Sequence, residues 1–396
     1  MLRRLRIKNF YSIRTELELS LLLNARTPDD FRSMPTTDQH KASKVIALVG
    51  ANASGKTNIL KSLAFIHWFI KDSFVSLKPD ENIPVVTHFA AAGEPTEIDI
   101  EFELDNKRWL YSLKLTAQRV LHESLHRYDY RFSYIFKRDW DEATQTYQVK
   151  LKDEFDFSRK EAQKVRANAS LIATAAQYGQ PLALKLVNLN VKTNLNMMGK
   201  YNFTDVEQLF SAAEFLYRQP DTLQRLSELL AQWDLGLSEV FIKEQTVTDP
   251  SGDKNTLYLP MGSHRMGDKN YDLLMLQESS GTRSAFVLLS KLLPVLASGG
   301  LVVIDELESD LHPHMVAAIL DLFFAPESNT HNAQVIFSTH SHEVLNMLYK
   351  EQVVLVEKDA ELNTDAYRLD DVEGVRADDN IYAKYMAGAY GAVPEI

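Results

Sequence analysis

The sequence predicts an α/β fold built around one strand, one glycine-rich loop and one helix. The apolar run 45–49 predicts a buried strand, and residues 58–66 have the apolar spacing of a helix. Strict alternation of apolar and polar residues over 98–104, repeated over 109–115, predicts an antiparallel hairpin with one wet face. Together these patterns predict an α/β core that carries an antiparallel β subdomain.

The loop between that strand and helix has the spacing of a P-loop, with glycines at its first and sixth positions before Lys56 and Thr57. Glycines let the backbone N–H groups converge on a phosphate chain, and the helix N-terminus adds its positive dipole end. Lys56 is expected to reach the β- and γ-phosphates of ATP, and the Thr57 hydroxyl to hold Mg²⁺. The alternative is a chance match in a tight strand–helix turn. The predicted nucleotide contacts are Gly50, Ala51, Asn52, Ala53, Ser54, Gly55, Lys56, Thr57 and Asn58.

Composition limits the classes of partner and site. The 396 residues carry 43 Lys and Arg against 54 Asp and Glu, a net charge of −11, so DNA contact would need a local basic patch or a partner. The absence of cysteine excludes disulfides, thiolate metal sites and cysteine nucleophiles. No signal peptide or membrane-length apolar run is present. We therefore expect a cytoplasmic protein without a membrane partner.

The pattern changes along the chain predict three parts. Residues 1–157 are expected to form an N-terminal lobe with the P-loop and the antiparallel sheet. Residues 158–246 have helical apolar spacing without sustained heptads, which predicts a compact helical insertion rather than a coiled-coil arm. Residues 247–396 are expected to form a C-terminal lobe.

Local patterns place the smaller elements within these parts. Residues 13–20 alternate as an edge hairpin would, and the polar stretch 29–43 predicts a loop. Within the insertion, helices are predicted at 161–178, 181–187, 205–218 and 222–233. The remaining predicted strands, grouped around turns at 138–142 and 249–253, are 130–136, 147–151, 240–242 and 257–259.

A second apolar strand, 301–304, runs into the carboxylates Asp305 and Glu306. This is the Walker B arrangement, in which Asp305 would orient Mg²⁺ and Glu306 would polarise the attacking water. Buried strands also end in Asp or Glu for purely structural reasons. The pairing with a P-loop favours the catalytic interpretation.

Two further segments complete an ordered set. Ser279, Ser280 and Gly281 open an apolar helix, and the strand 334–338 is followed closely by His340. The order P-loop, signature, Walker B and histidine resembles the ABC-type ATPase head shared by structural-maintenance-of-chromosomes, Rad-fifty-like, RecF-like and overcoming-lysogenization-defect proteins. In that class the signature of one head caps the nucleotide of another. The resemblance implies a homodimer or higher homo-oligomer, with Ser279, Ser280 and Gly281 on the partner's γ-phosphate and His340 as its sensor.

Finer motifs resemble a bacterial group of stand-alone AAA ATPases that includes the abortive-infection AbiLii and RloA-type proteins. These motifs are Asn9-Phe10, the residues 278–283, 305–308 with His312-Pro313, and 385–394. Overcoming-lysogenization-defect enzymes continue into a Toprim nuclease. Because this chain ends at Ile396, we expect that nuclease to be absent and a nuclease-like effector to be encoded separately.

Two functions stay open at this point. One is a sensor ATPase that controls a separate effector in anti-phage defence; the other is a RecF-like or SMC-like ATPase that acts on DNA in repair or recombination. A transporter subunit is disfavoured, since nothing resembles a coupling-helix partner. The loop that normally carries a glutamine in such heads is left unassigned, although residues 122–126 lie where it is expected.

Overall fold

A six-stranded sheet, the core sheet, forms the central layer of the computed structural model, which describes residues 1–196, 199–233, 235–248 and 254–393. Every neighbouring pair in it is parallel except the last. The strand Val45–Val49 is buried at all five positions, as expected for a parallel strand covered on both faces. In spatial order the strands are Val191–Thr193, Leu301–Ile304, Gln334–Ser338, Val45–Val49, Val353–Lys358 and Thr364–Arg368.

A seven-stranded antiparallel sheet, the outer sheet, forms a second layer. It contains the predicted hairpin and the N-terminal strand pair, and its alternating burial follows the period-two pattern of the sequence. In spatial order its strands are Thr146–Leu151, Phe132–Asp141, Val120–Tyr128, Lys107–Leu115, Thr96–Leu104, Leu2–Lys8 and Leu17–Ser20.

The helix Lys56–Ser76 lies between the two sheets. Its buried residues pack with apolar side chains of the outer sheet and with Ile46, Leu48 and Val303 of the core sheet in one cluster. Being apolar on more than one side, the helix is buried along most of its length. This layer fixes the helix N-terminus at the carboxyl end of the P-loop strand.

The opposite face of the core sheet is covered by the helices Ser280–Ser298 and Pro313–Phe324. The helices Val206–Tyr217 and Pro220–Gln232 pack against Ser280–Ser298. Beside them lies a three-stranded antiparallel sheet of Glu239–Thr248, Lys254–Met266 and Lys269–Leu274.

The remaining elements are short. A small sheet has the order Leu22–Leu23, Lys41–Ser43 and Ser33–Pro35. The other α-helices are Arg159–Ala162, Leu171–Gln177, Pro181–Val187 and Ile381–Met386. Short 3₁₀ helices occur at Phe89–Ala91, Asp153–Phe155, Met275–Gln277, His342–Met347, Lys350–Gln352 and Leu369–Asp371.

The predicted α/β class with an antiparallel subdomain is confirmed, but the predicted turn at 138–142 is wrong over most of its length. Arg138 lies within the strand Phe132–Asp141. A charged side chain is tolerated there because its fully buried guanidinium donates to the backbone carbonyls of Val165, Arg166 and Ala169 at 2.9, 2.8 and 2.8 Å. The charge run was therefore a poor indicator of a turn.

The predicted loop at 29–43 and the unassigned stretch 122–126 both contain strand residues. Residues 122–126 lie within the strand Val120–Tyr128 and not in a loop between lobes. Buried and part-buried residues do not alternate along this strand, so its sequence lacks a clean period-two signal. A β-bulge also interrupts its pairing with the strand Lys107–Leu115. The stretch 29–43 contains the short strands Ser33–Pro35 and Lys41–Ser43.

The part 158–246 is less uniformly helical than the sequence pattern predicts. The helix expected at 161–178 is replaced by Arg159–Ala162 and Leu171–Gln177, and Val191–Thr193 joins the edge of the core sheet. The strand Glu239–Thr248 runs across the predicted boundary at 246. The predicted turn at 249–253 lies outside the described residues. The division into three parts stays a prediction.

Candidate functional site

A cleft opens at the carboxyl ends of the parallel strands, where the segments after Val49, Ile304 and Ser338 meet. Parallel strands end at a common edge of the sheet, so three segments far apart in sequence come together there. The cleft is lined by Ser12, Asn52, Ala53, Ser54, Gly55, Lys56, Thr57, Asn58, Asp305, Glu306, Ser338, His340 and Lys358.

The glycine at position 55 is required by both conformation and space. Gly55 has φ of 116°, in the left-handed region that other residues rarely adopt. A Cβ atom there would lie 2.0 Å from Thr364 Oγ1. At Gly50 a Cβ atom would lie 2.0 Å from the carbonyl oxygen of Val356. The neighbouring C-terminal strands therefore press directly against the P-loop backbone.

Lys56 is the first residue of the helix, and its ammonium is held by the P-loop itself. Its Nζ donates to the carbonyl oxygens of Gly50 and Ala51 at 2.8 and 2.9 Å. Burial lowers the pKa of Lys56, while Asp305 and other nearby carboxylates act to raise it. The side chain folds back over the loop that a phosphate chain would enter.

Asp305 is the point at which the three segments connect. Thr57 Oγ1 donates to its Oδ2 at 2.9 Å, and Ser338 Oγ donates to its Oδ1 at 2.6 Å. Its backbone N–H donates to Asn194 Oδ1 and its backbone carbonyl accepts from Asn194 Nδ2, both at 2.9 Å. The carboxylate is nearly buried and oriented from both sides, as a hard cation site requires.

Glu306 follows in the left-handed region, with φ of 53°. Its backbone N–H donates to Ser338 Oγ at 2.7 Å, and its carboxylate forms an ion pair with Lys200 and accepts from Ser309 Oγ. The hydrogen bond from Lys200 is the main cause that holds the pKa of Glu306 below its ordinary value. The carboxylate is thus an ionised acceptor facing the cleft.

His340 is exposed at the mouth of the cleft. Its backbone N–H donates to Glu308 Oε1 at 2.6 Å. This hydrogen bond links the segment that follows the strand Gln334–Ser338 to the segment that follows Leu301–Ile304. The imidazole is free to approach a group bound in the cleft.

The predicted signature residues lie elsewhere. Ser279, Ser280 and Gly281 are not among the described residues that line the cleft. Ser279 caps the helix Ser280–Ser298, its Oγ accepting from the Thr282 N–H at 3.1 Å, and Ser279 and Ser280 are exposed. A Cβ atom at Gly281 would lie 3.0 Å from the carbonyl oxygen of Asp310. Within one chain, the structure does not bring these residues to the P-loop.

Several cleft residues have no motif in the sequence. Ser12 Oγ accepts from Asn58 Nδ2 at 2.6 Å and lies 2.7 Å from Thr364 Oγ1, which donates to the carbonyl of Ser54 at 2.9 Å. Asn194 and Lys200, which contact Asp305 and Glu306 but are not among the residues that line the cleft, also lie outside any motif. The Asn9-Phe10 motif ends two residues before Ser12.

A family model described as "AAA domain, putative AbiEii toxin, Type IV TA system" matches residues 45–346, which span the P-loop, the acidic pair and His340. The chain belongs to this AAA family. Family membership together with the cleft identifies the chain as a nucleotide-binding ATPase, as the sequence predicted. No curated protein matches this ATPase.

Among solved structures, the ATPase is similar to "the SmcHead bound to the C-winged helix domain of ScpA", at a TM-score of 0.50 and 12% identity over 92% of this chain and 96% of that one. The predicted fold, an ABC-type head of the SMC kind, is thereby confirmed. The SMC head domain from Thermotoga maritima aligns with a TM-score of 0.43 at 14% identity, over 93% of this chain and 98% of that one. A third structure is an Smc head with an extended coiled coil, derived from Pyrococcus furiosus and bound to the C-terminal domain of ScpA. It aligns with a TM-score of 0.47 at 11% identity, over 93% of this chain and 97% of that one.

In the described part of this ATPase, no helix combines the length and apolar character that crossing a membrane requires.

Proposed function

We propose that two copies of this ATPase close head to head around ATP and Mg²⁺, and that the closed pair controls a separately encoded, nuclease-like effector in bacterial anti-phage defence. The observation that carries the proposal is that one chain keeps two parts of the expected site apart, namely the phosphate-binding cleft and the signature residues. The cleft holds the P-loop and both carboxylates, whereas the exposed signature residues lie outside it. A second copy would supply the missing half.

The cleft fits the phosphates of ATP and a magnesium ion. Thr57 Oγ1 and Asp305 Oδ2 are oxygen ligands of the type that Mg²⁺ prefers, and they lie 2.9 Å apart. Thr364 leaves no room for a side chain at Gly55. The P-loop would therefore bind phosphate through its backbone N–H groups. Bound Mg²⁺ would supply neutralisation of charge on the β- and γ-phosphates.

The remaining roles belong to side chains of this chain. Lys56 would exchange its two loop carbonyls for phosphate oxygens, a stronger charge-assisted interaction. Glu306 would accept a proton from the attacking water. His340, at the mouth of the cleft, would contact the γ-phosphate. Ser279, Ser280 and the Gly281 N–H, at the N-terminus of a 19-residue helix, would contact the partner's γ-phosphate.

The defence role rests on the family, whose description refers to the AbiEii toxin and a type IV toxin–antitoxin system. ATP hydrolysis alone changes only the populations of open and closed pairs. A signal passes only if another molecule binds those two states unequally. The net charge of −11 disfavours DNA as that molecule and favours a protein effector.

The test is a phage challenge of bacteria that express the ATPase with its neighbouring gene. Protection should require both genes and should be lost with Lys56→Ala. The matched control is Lys71→Ala, an exposed lysine on the same helix, which should protect like the wild type. Full protection by the single chain would eliminate the separate effector. No protection, together with sensitivity to DNA damage on deletion, would favour the RecF-like alternative.

A further inference from the structure

A segment outside the sequence motifs, described at residues 191–196 and 199–200, reaches the catalytic carboxylates. Its strand Val191–Thr193 pairs in parallel with Leu301 to Val303 at the edge of the core sheet. Directly after this strand, the buried side-chain amide of Asn194 makes two hydrogen bonds to the backbone of Asp305. These bonds continue the hydrogen bonding between the two strands by one residue. The segment is therefore anchored at the end of the Walker B strand.

Lys200 of the same segment lies beside Glu306. An isolated antiparallel bridge pairs Leu195 with Lys200, and Lys200 Nζ forms an ion pair with Glu306 Oε2. The side chains of Lys200 and Glu306 are 21% and 42% exposed, so the ion pair is partly shielded from solvent. Ser309 Oγ donates to the same carboxylate oxygen at 3.3 Å.

These contacts bear on how Glu306 can work. The ammonium of Lys200 and the hydroxyl of Ser309 both donate to Oε2, which fixes the rotation of the carboxylate and stabilises its ionised form, so that it is a weaker base towards water. The backbone at Glu306 is itself held in the left-handed region by Ser338 and the following turn, so the side chain has little freedom to reorient while the ion pair stands.

We propose that Lys200 is a positioning residue that restrains Glu306, and that opening of the ion pair between them makes Glu306 a more effective acceptor of the proton from the attacking water. The proposal rests on the role of Glu306 given above. Lys200 is suited to a reversible restraint, because its long flexible stem can leave Glu306 while Asn194 keeps the segment anchored.

Other cations face Glu306 from different elements and would remain after Lys200 is replaced. They are Lys56 of the P-loop helix and, when protonated, His340. Replacing Lys200 therefore removes the ammonium donor to Glu306, keeps the hydrogen bond from Ser309, and leaves the groups that would contact nucleotide in place.

The experiment measures steady-state kcat and KM for Mg-ATP in the full-length chain, with the thermal unfolding midpoint as a check of folding. Lys200→Met should raise kcat several-fold with KM and the midpoint unchanged, and Lys200→Arg should restore the wild-type kcat. Lys185→Met is the matched control, because Lys185 forms its ion pair with the exposed Asp105 and not with a carboxylate of the cleft. It should change nothing.

Two further variants make the outcome unambiguous. Ser309→Ala, which removes the second donor from the same oxygen, should raise kcat in the same direction but by less. It provides the test if Lys200→Met does not fold. Lys200→Met combined with Glu306→Gln should lose the gain. An unchanged or lower kcat in folded Lys200→Met overturns the restraint. If Glu306→Gln alone keeps the wild-type kcat, the proposed role of Glu306 fails instead.

Discussion

Thr57 Oγ1 lies 2.9 Å from Asp305 Oδ2, although 248 positions separate the two residues in the chain. Ser338 contacts the other oxygen of the same carboxylate at 2.6 Å. Three segments are thus joined at one carboxylate before any ligand is considered. A site preorganised in this way needs little rearrangement to bind a cation, which is the condition for strong electrostatic stabilisation.

Replacing Lys56 with alanine should abolish tight ATP binding. The phosphates would lose a charge-assisted contact worth about 1.5 to 3 kcal/mol, roughly a 10- to 150-fold loss of affinity. Titration calorimetry with Mg-ATP measures the loss, with Lys71→Ala as the control on the same helix. Wild-type affinity in Lys56→Ala would refute the P-loop interpretation.

Glu306→Gln should bind ATP normally and hydrolyse it about 10² to 10⁴ times more slowly, since the amide keeps the shape of the carboxylate and lacks its basicity. The variant should therefore accumulate the closed pair. Sedimentation with and without Mg-ATP measures this, and the sedimentation coefficient should rise only with nucleotide. The same assembly in both conditions would contradict closure driven by ATP.

The signature residues should act across the interface. A mixture of Lys56→Ala and Gly281→Asp chains contains pairs with one intact composite site, so partial ATPase activity should return on mixing. Gly93→Asp is the matched control, since Gly93 is exposed and a Cβ atom there meets nothing within 4 Å. Mixed with Lys56→Ala, it should behave like the wild type.

A photoreactive ATP analogue gives the more direct readout of the same arrangement. Bound at the P-loop of one chain, it should label the segment around Ser279 of the other. Labelling confined to the chain that holds the nucleotide would show that the signature does not act in trans.

The ion pairs of Arg3 predict a dependence of stability on pH. Arg3 is buried and donates to Asp38, Glu101 and Glu103. Partial burial acts to raise the pKa of Asp38, but hydrogen bonds from Arg3 and Thr36 outweigh it and hold that pKa far below its ordinary value. A carboxylate with a lowered folded-state pKa stabilises the fold above its unfolded pKa of about 4, and this contribution is lost as the pH falls below that value.

Asp38→Asn should therefore lower the free energy of unfolding by about 1 to 2 kcal/mol at pH 7, a figure reduced for the partial exposure of Asp38. The difference from the wild type should shrink as the pH falls below about 4. Urea unfolding at several pH values measures it, with the exposed Asp80→Asn as control. A difference that grows in acid would show that the sign of the linkage is wrong.

Local motifs made part of the cleft predictable from sequence. Lys56 and Thr57 lie in one loop, and Asp305 and Glu306 follow one apolar strand, so each set is recognisable within a few residues. Their juxtaposition was also predictable, because parallel strands share a carboxyl edge. The apolar pattern of residues 285–293 also predicted a helix, which the structure extends to Ser280–Ser298.

Contacts between distant segments were not predictable in this way. Lys200 reaches Glu306 through an edge strand of three residues, too short to give a periodic signal. Arg138 reads as a turn residue until its carbonyl partners, 27 to 31 positions away, are seen. In both cases tertiary packing decided what local propensity could not.

The hydrogen bond from Thr364 Oγ1 to the carbonyl of Ser54 joins residues 310 positions apart. At the usual rates of translation the ribosome needs about 15 to 60 s to add that many residues. For most of that interval the strand Val45–Val49 has neither of its neighbours, Gln334–Ser338 nor Val353–Lys358. The emerging chain thus presents an unpaired apolar strand that chaperones can capture, and competence to bind nucleotide is acquired only near the end of synthesis.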